Sequence, residues 1–235
     1  MIRLSTAAAV ARTLSRESEL RGLAHLVGRG DICLDIGAAY GMYTFPLARL
    51  VRRTGRVHSF EPLHLPYRIL ESARQAAGAH HVITTNAALG PSNGRQRLRL
   101  PYRFGLPNHG WAHLQVGVKR PDDSRGRTLE VPVYTIDHVC ETRRIPWVDF
   151  MKVDVEGFES AVLEGGRRTI ERHRPHLLLE IEDRHLDKYG MSATDVTEPL
   201  LRMGYRMYIW RRGRWQRTDA IDHRRRNYLF SSRLP

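Results

Sequence analysis

The sequence predicts an α/β fold built on a largely parallel sheet, and three observations carry that prediction. Residues Asp31 to Gly41, DICLDIGAAYG, run from a short apolar stretch into a glycine turn. From there to about residue 85, short apolar runs alternate with helix-length amphipathic segments. Residues Met151 to Glu159, MKVDVEGFE, repeat the device of an apolar strand that delivers acids into a turn. Such alternation argues for parallel strands joined by crossover helices.

The elements follow in order. Residues 14–27 read as an opening helix with an apolar stripe of Leu20, Leu23, Leu26 and Val27. A strand covers 31–36, and a helix covers 42–50 with Phe45, Leu47, Ala48 and Leu50. Gly55 breaks the chain before a strand at 57–60. A helix over 64–77 stops at Gly78, and a third strand covers 81–85. The pattern then changes. Residues 90–134 are rich in glycine, proline and asparagine, with alternating segments at 95–100 and 128–133. This predicts loops and a small β arm over the sheet edge, an insertion of a length that carries function or moves. Alternation resumes with a strand at 147–153, a helix at 158–172, a strand at 176–181 and a helix at 194–203. Strands at 205–210 and 227–231 flank an arginine-rich loop and suit an antiparallel pair that closes the sheet. The 235 residues therefore read as one domain, 1–235, with a helical region at 1–28 and the insertion at 90–134.

Composition sets limits. Apolar residues make up 41% and charged residues 27%, as in ordinary globular proteins. No apolar run is long enough for a membrane span. The start, MIRLSTAAAV, has too short an apolar run for a convincing secretion signal, since Arg12 follows. The two cysteines, Cys33 and Cys140, lack metal-ligand spacing, and a reducing cytoplasm fits them. The net charge of +13 is almost all arginine, because Lys119, Lys152 and Lys188 are the only lysines. Most arginines are scattered. A cluster at Arg211, Arg212, Arg214, Arg217 and Arg224–Arg226, interleaved with Trp210, Trp215 and Tyr228, could face an anion, but a solvated surface accounts for it more simply.

The first turn points to a nucleoside. A dinucleotide site wants G-x-G-x-x-G, whereas Gly37, Ala39 and Met42 occupy that register. No phosphate loop is present. Asp35 would repel phosphate and welcome an ammonium, and Glu61, in VHSFEP, can accept hydrogen bonds from ribose hydroxyls. S-adenosylmethionine has both features and no phosphate. The plainer alternative is an ordinary α/β turn.

The second turn places acids where such sheets bind ligands: Asp154 and Glu156 after one strand, and Glu180 inside the next apolar run, HLLLEIE. Asp154 and Glu180 could face each other across neighbouring strands, as ligands for a hard metal ion or as a proton relay. Alternatively, Lys152 neutralises an acid and the others cap helices. His109, in LPNHGW, is the candidate general base, a loop histidine able to take a proton from a hydroxyl. A solvent-facing histidine is the competing reading.

Taken together, these residues resemble the FkbM family of S-adenosylmethionine-dependent methyltransferases. The resemblance covers roughly residues 30–182. It rests on DIGAAYG, FEP at Phe60–Pro62, NAALG at Asn86–Gly90, the Asn108–Gly110 region, VYTIDHV at Val133–Val139, and KVDVEGFE at Lys152–Glu159. Ala39 stands where the family more often has asparagine. The resemblance implies a Rossmann-like class I methyltransferase fold, a mostly parallel seven-stranded sheet with a reversed C-terminal hairpin. It implies O-methylation of a sugar, oligosaccharide, glycolipid or related natural product. Asp35, Gly37, Ala38 and Gly41 would hold the methionine moiety, Glu61 the ribose, and Asn86 and Ala87 the adenine end. Asp154, Glu156 and Glu180 would sit by the transferred methyl group. Magnesium at Asp154 and Glu180 is implied by related sugar methyltransferases, and His109 or Asp154 would serve as base. A homodimer is a mild expectation. The competing functions are an RNA methyltransferase, favoured by the basic C-terminus but opposed by the lack of a D/N-P-P-Y/F motif, and a noncatalytic nucleoside-binding module.

Overall fold

The computed structural model describes residues 18–119, 125–222 and 224–233. It opens with a 3-10 helix, Ser18–His25, in place of the α-helix expected over 14–27, whose first residues lie outside the described ones. Leu26 N bonds to Leu23 O three residues back (2.9 Å), and the Gly22 carbonyl accepts from Trp215 Nε1 (3.1 Å), a contact between residues far apart in sequence. Then come β1 (Ile32–Ile36), a helix at Thr44–Val51, β2 (Arg56–Phe60), a helix at His64–Ala76 and β3 (Val82–Thr85). The insertion holds β4 (Ala88–Leu89), β5 (Gly94–Arg103), β6 (Leu106–Pro107), a 3-10 turn at His109–Trp111, β7 (His113–Leu114) and β8 (Gly126–Tyr134). A helix at Ile136–Thr142 leads to β9 (Phe150–Val153) and β10 (His176–Glu180). The chain ends with the helix Ala193–Arg202, β11 (Arg206–Arg211), β12 (Arg214–Arg217) and β13 (Asn227–Ser231).

The main sheet runs β12-β11-β13-β10-β9-β1-β2-β3. The five strands from β3 to β10 are parallel, and β13, β11 and β12 are antiparallel additions. The reversed hairpin is present, since β13 inserts between β10 and β11. The count of seven strands needs correction. β12 adds an eighth, folded back on β11 through the two-residue turn Arg212–Gly213. The arm is a second, five-stranded sheet in which β5 and β8 pair antiparallel from Gly94↔Val133 to Pro101↔Gly126.

The helix expected over 158–172 is two helices, Glu159–Glu164 and Arg167–His173. Gly165 sits against the Gly90 carbonyl, where a Cβ would be only 2.0 Å from the oxygen, so the chain breaks to let the arm's first strand approach. Apolar residues fill both faces of the main sheet. Leu34, Ile36, Phe60, Met151 and Val153 join one face to the inner side of the arm, through Leu98, Leu100, Val131 and Val133. Leu23, Cys33, Leu47, Val51 and Phe150 form the core on the other face. No helix of the described residues is long and apolar enough to cross a membrane.

Candidate active site

The parallel strands β1, β2 and β9 end together, and the register Ile36↔Phe60 and Ile36↔Val153 sets three loops side by side. Gly37 begins the first loop with φ +82°, and a Cβ there would lie 1.8 Å from the Asp154 carbonyl oxygen. No other residue fits, and this contact closes the two acid-bearing turns on each other. The Gly37 and Ala38 amides both donate to Phe60 O, at 3.0 and 2.9 Å. Ala39 is left-handed, with φ +45°, and Gly41 follows at +91°. The left-handed form suits asparagine better than alanine.

Glu61 anchors this turn. Its Oε2 accepts from Ala39 N (2.9 Å) and its Oε1 from Leu63 N (2.7 Å). A carboxylate offers about four acceptor sites, so each oxygen keeps capacity for a further donor. Burial pushes the Glu61 pKa up to about 7, against the pull of its two backbone donors. Asp35 lies lower. It is fully buried, and Thr44 Oγ1 donates to it at 2.5 Å while also touching Ser59 Oγ. Its pKa rises to about 6 through burial, opposed by Thr44 and Lys152. Asn86 braces the FEP turn, donating from Nδ2 to the carbonyls of Glu61 (2.8 Å) and Pro62 (3.0 Å).

Above these loops opens a cleft of about 240 Å³. Gly37, Glu61, Ala87, His109, Asp154 and Glu156 all line it, six of the residues expected at the site. Asp35, Ala38, Gly41, Asn86 and Glu180 are not in its wall and support it from beneath or behind. Leu63, Ala88, Leu89 and Phe158 make one part of the wall apolar, and Tyr40, His113 and Leu114 complete it.

The acids after β9 and β10 lie close. Asp154, Glu156 and Glu180 each place an oxygen within 4.8 Å of the others. Hard oxygen donors of this kind suit magnesium. However, positive charge is already present. Lys152, buried in the sheet, places Nζ 3.3 Å from Asp154 Oδ2 and 3.0 Å from Asn227 Oδ1. Burial opposes ionisation of Asp154, but the Lys152 charge together with the hydrogen bonds from Glu180 and Lys152 holds the Asp154 pKa below its usual value. Burial, then the Asp154 charge, raises Glu180 well above its usual range, and the two acids share a hydrogen bond. Glu156 is raised to about 8 by burial and then by Asp154. Its Oε2 lies 2.8 Å from His185 Nδ1 but has no well-aligned hydrogen bond. Burial and the nearby Lys188 and Arg184 lower His185 to about 4, so at neutral pH this is a contact between uncharged groups. The acids are thus balanced by a lysine and by protons they keep.

His109 stands on the opposite wall, in the turn that follows β6. Its Nδ1 is 3.0 Å from the Tyr40 hydroxyl, and the two rings meet edge to face. Partial burial lowers its pKa below the usual value, which keeps the imidazole neutral at pH 7. Sequence reasoning missed Tyr40, although it sits inside the glycine turn. It also missed His113, which is buried with Nδ1 3.0 Å from Trp111 O. A lone histidine among arm residues gives no local signal for that.

The model of the methyltransferase FkbM domain matches residues 35–207. The chain belongs to the FkbM methyltransferase family. Among solved structures, the FkbM methyltransferase of Methylobacillus flagellatus is 16% identical, with a TM-score of 0.50, over 89% of this chain and 50% of that one. A candidate methyltransferase of Streptococcus mutans, solved in complex with SAH, is 9% identical, with a TM-score of 0.51, over 92% of this chain and 96% of that one. A SAM-dependent O-methyltransferase of Thermotoga maritima is 12% identical, with a TM-score of 0.49, over 94% of this chain and 65% of that one. At such identities the likeness to the Methylobacillus and Streptococcus proteins establishes a class I methyltransferase-like α/β fold alone. This family member spans half the length of the Methylobacillus protein and 65% of the Thermotoga protein. No curated protein matches it.

Proposed function

We propose that the chain is an S-adenosylmethionine-dependent O-methyltransferase whose acceptor is a hydroxyl of a sugar, oligosaccharide, glycolipid or related natural product. The observation that carries this reading is the cleft itself. It has a ribose-type carboxylate on one wall, Glu61, and a neutral imidazole on the other, His109. The donor chemistry fits the cofactor. Glu61 keeps acceptor capacity for a diol, the apolar wall with Ala87 suits a flat base, and the sequence carries no phosphate-loop motif.

When bound, S-adenosylmethionine supplies a methyl group already activated on a sulfonium. The chain has to bind, orient and deprotonate. Glu61 and the backbone around Gly37 and Ala39 hold the nucleoside side. Asp35 and Asp154 supply negative charge near the methionine side. In the tautomer that donates Nδ1–H to the Tyr40 oxygen 3.0 Å away, His109 Nε2 is the acceptor for a hydroxyl proton. Asp154 is the rival acceptor, held ionised by Lys152. The acceptor oxygen gains nucleophilicity as that proton leaves. The oxygen cluster of Asp154, Glu156 and Glu180 would be the holder of a magnesium-type ion, which would acidify the hydroxyl. Lys152 and the retained protons account for those acids without one.

Transfer of labelled methyl from S-adenosylmethionine to a panel of saccharides and glycolipids tests the reading. Label in saccharide ethers supports it. Label in RNA, with saccharides inert and binding that collapses with salt, would replace it with a nucleic-acid methyltransferase.

A further inference from the structure

The tip of the β arm carries side chains that water does not explain. Arg103 pairs with Leu106, so only Phe104 and Gly105 make the turn between β5 and β6. Both are left-handed, with φ +52° and +77°. This is the primed two-residue turn, whose first position favours asparagine or aspartate. A left-handed conformation disfavours a bulky side chain. The hairpin between β11 and β12 is a built-in control. Arg212–Gly213 has φ +52° and +76°, the same turn, and it carries a charged residue that water solvates well. At the arm tip the strained residue is a phenylalanine, 92% exposed, with Leu106 beside it at 70%.

The surroundings of this tip are basic. The Arg103 guanidinium lies 5.4 Å from the Phe104 ring centre. Arg125 and Arg127, at the neighbouring strand end, are both exposed. Arg125 is tied to the tip because its carbonyl accepts from Tyr102 N at 2.6 Å. Glu130 is the only acid among the arm's described residues, and it is paired with Arg95 far from the tip; Asp122 and Asp123 lie outside the described residues. Trp111, half-exposed, follows the tip in sequence.

An exposed apolar point with the Arg103 guanidinium beside it and two exposed arginines on the neighbouring segment is the chemistry of an interfacial anchor. The ring and leucine enter the headgroup boundary, and the arginines meet lipid phosphates. We propose that the Phe104–Leu106 tip docks this protein on an anionic bilayer, and that the adjoining cleft takes an acceptor carried by a lipid. The second half rests on the methyltransferase reading. From Pro107 the chain passes directly into His109 and Gly110, which line the cleft, so an anchored tip sets that wall against the headgroups. Charge argues against a second copy as the occupant, because two chains of net charge +13 would bring their basic tips together.

Co-sedimentation of the full chain tests this, with vesicles of phosphatidylglycerol and phosphatidylcholine in equal parts against phosphatidylcholine alone. The wild type should bind the anionic vesicles and lose most of that binding in high salt. Phe104→Asn combined with Leu106→Ser should weaken it by about tenfold or more. Asparagine suits the left-handed position better than phenylalanine, so this variant should fold at least as well, which thermal unfolding checks. Undiminished vesicle binding by the variant, or no binding by the wild type, overturns the proposal. So does a variant that turns a wild-type dimer into a monomer, because the tip would then be a subunit contact. Calorimetry with S-adenosylhomocysteine in the same preparations, without vesicles, tests the methyltransferase reading separately. Vesicle binding without nucleoside binding would keep the anchor and remove the lipid-borne acceptor.

Discussion

At the ends of β1 and β2 the acids are tied to the backbone and to a threonine; at the ends of β9 and β10 they are tied to each other. Both Glu61 oxygens hold main-chain amides, and Asp35 is held by Thr44. Asp154 and Glu180 share a hydrogen bond beside Lys152, and Glu156 keeps its proton near neutral pH. The first turn is therefore set in one geometry before any ligand arrives. The second has charges and protons that can be redistributed. The difference teaches that similar sequence devices, an apolar strand with acids and a glycine, serve different ends according to what the carboxylates find within reach.

The largest effect concerns which side supplies the proton acceptor. His109→Ala should lower turnover by about 10²–10⁴-fold and leave cofactor affinity unchanged. The wild type should lose turnover on acidification as the imidazole charges. Because burial lowers the His109 pKa, that loss should centre below the usual value of about 6.5. A variant within threefold of wild type at saturating acceptor, alongside an inactive Asp154→Asn, would move the chemistry to the second turn.

Next is the contact between the turns. Gly37→Ala would drive a methyl group into the Asp154 carbonyl and impose a left-handed alanine. It should cost roughly 3 kcal/mol of stability, read from the urea midpoint, and lose cofactor binding with it. An unchanged midpoint would show that the two turns are not packed as described. The smallest effect is the response of the second turn to chelation. Since Lys152 and retained protons balance its acids, turnover in excess chelator should stay within about twofold of the untreated enzyme. A loss reversed by magnesium would make Asp154 and Glu180 metal ligands and the second turn an ion site.

Much of this architecture was legible in the sequence. The strand-helix alternation gave the parallel half of the sheet, because buried parallel strands leave short apolar runs that are easy to place. The approach of Asp154 to Glu180 was also legible, since β9 and β10 are adjacent and in register at Val153↔Leu179. β12 was not, because RWQR is polar and short, and only its pairing with β11 makes it a strand. The break at Gly165 depends on Gly90, far away in sequence. At the site, glycine spacing and the Glu61 carboxylate could be read directly. The two amides that Glu61 already holds could not, nor could the pairing of Tyr40 with His109, which joins residues 69 positions apart.

The central claim is that the first turn is a preformed nucleoside cradle with Glu61 as its ribose acceptor. Titration calorimetry with S-adenosylhomocysteine on wild type and Glu61→Ala tests it most directly. The wild type should bind at one site per chain. The variant should bind more weakly by roughly 1–3 kcal/mol, having lost the ribose contacts and the brace on Ala39. Absence of binding by the folded wild type would contradict the cradle, and an unchanged dissociation constant in Glu61→Ala would contradict the role given to Glu61.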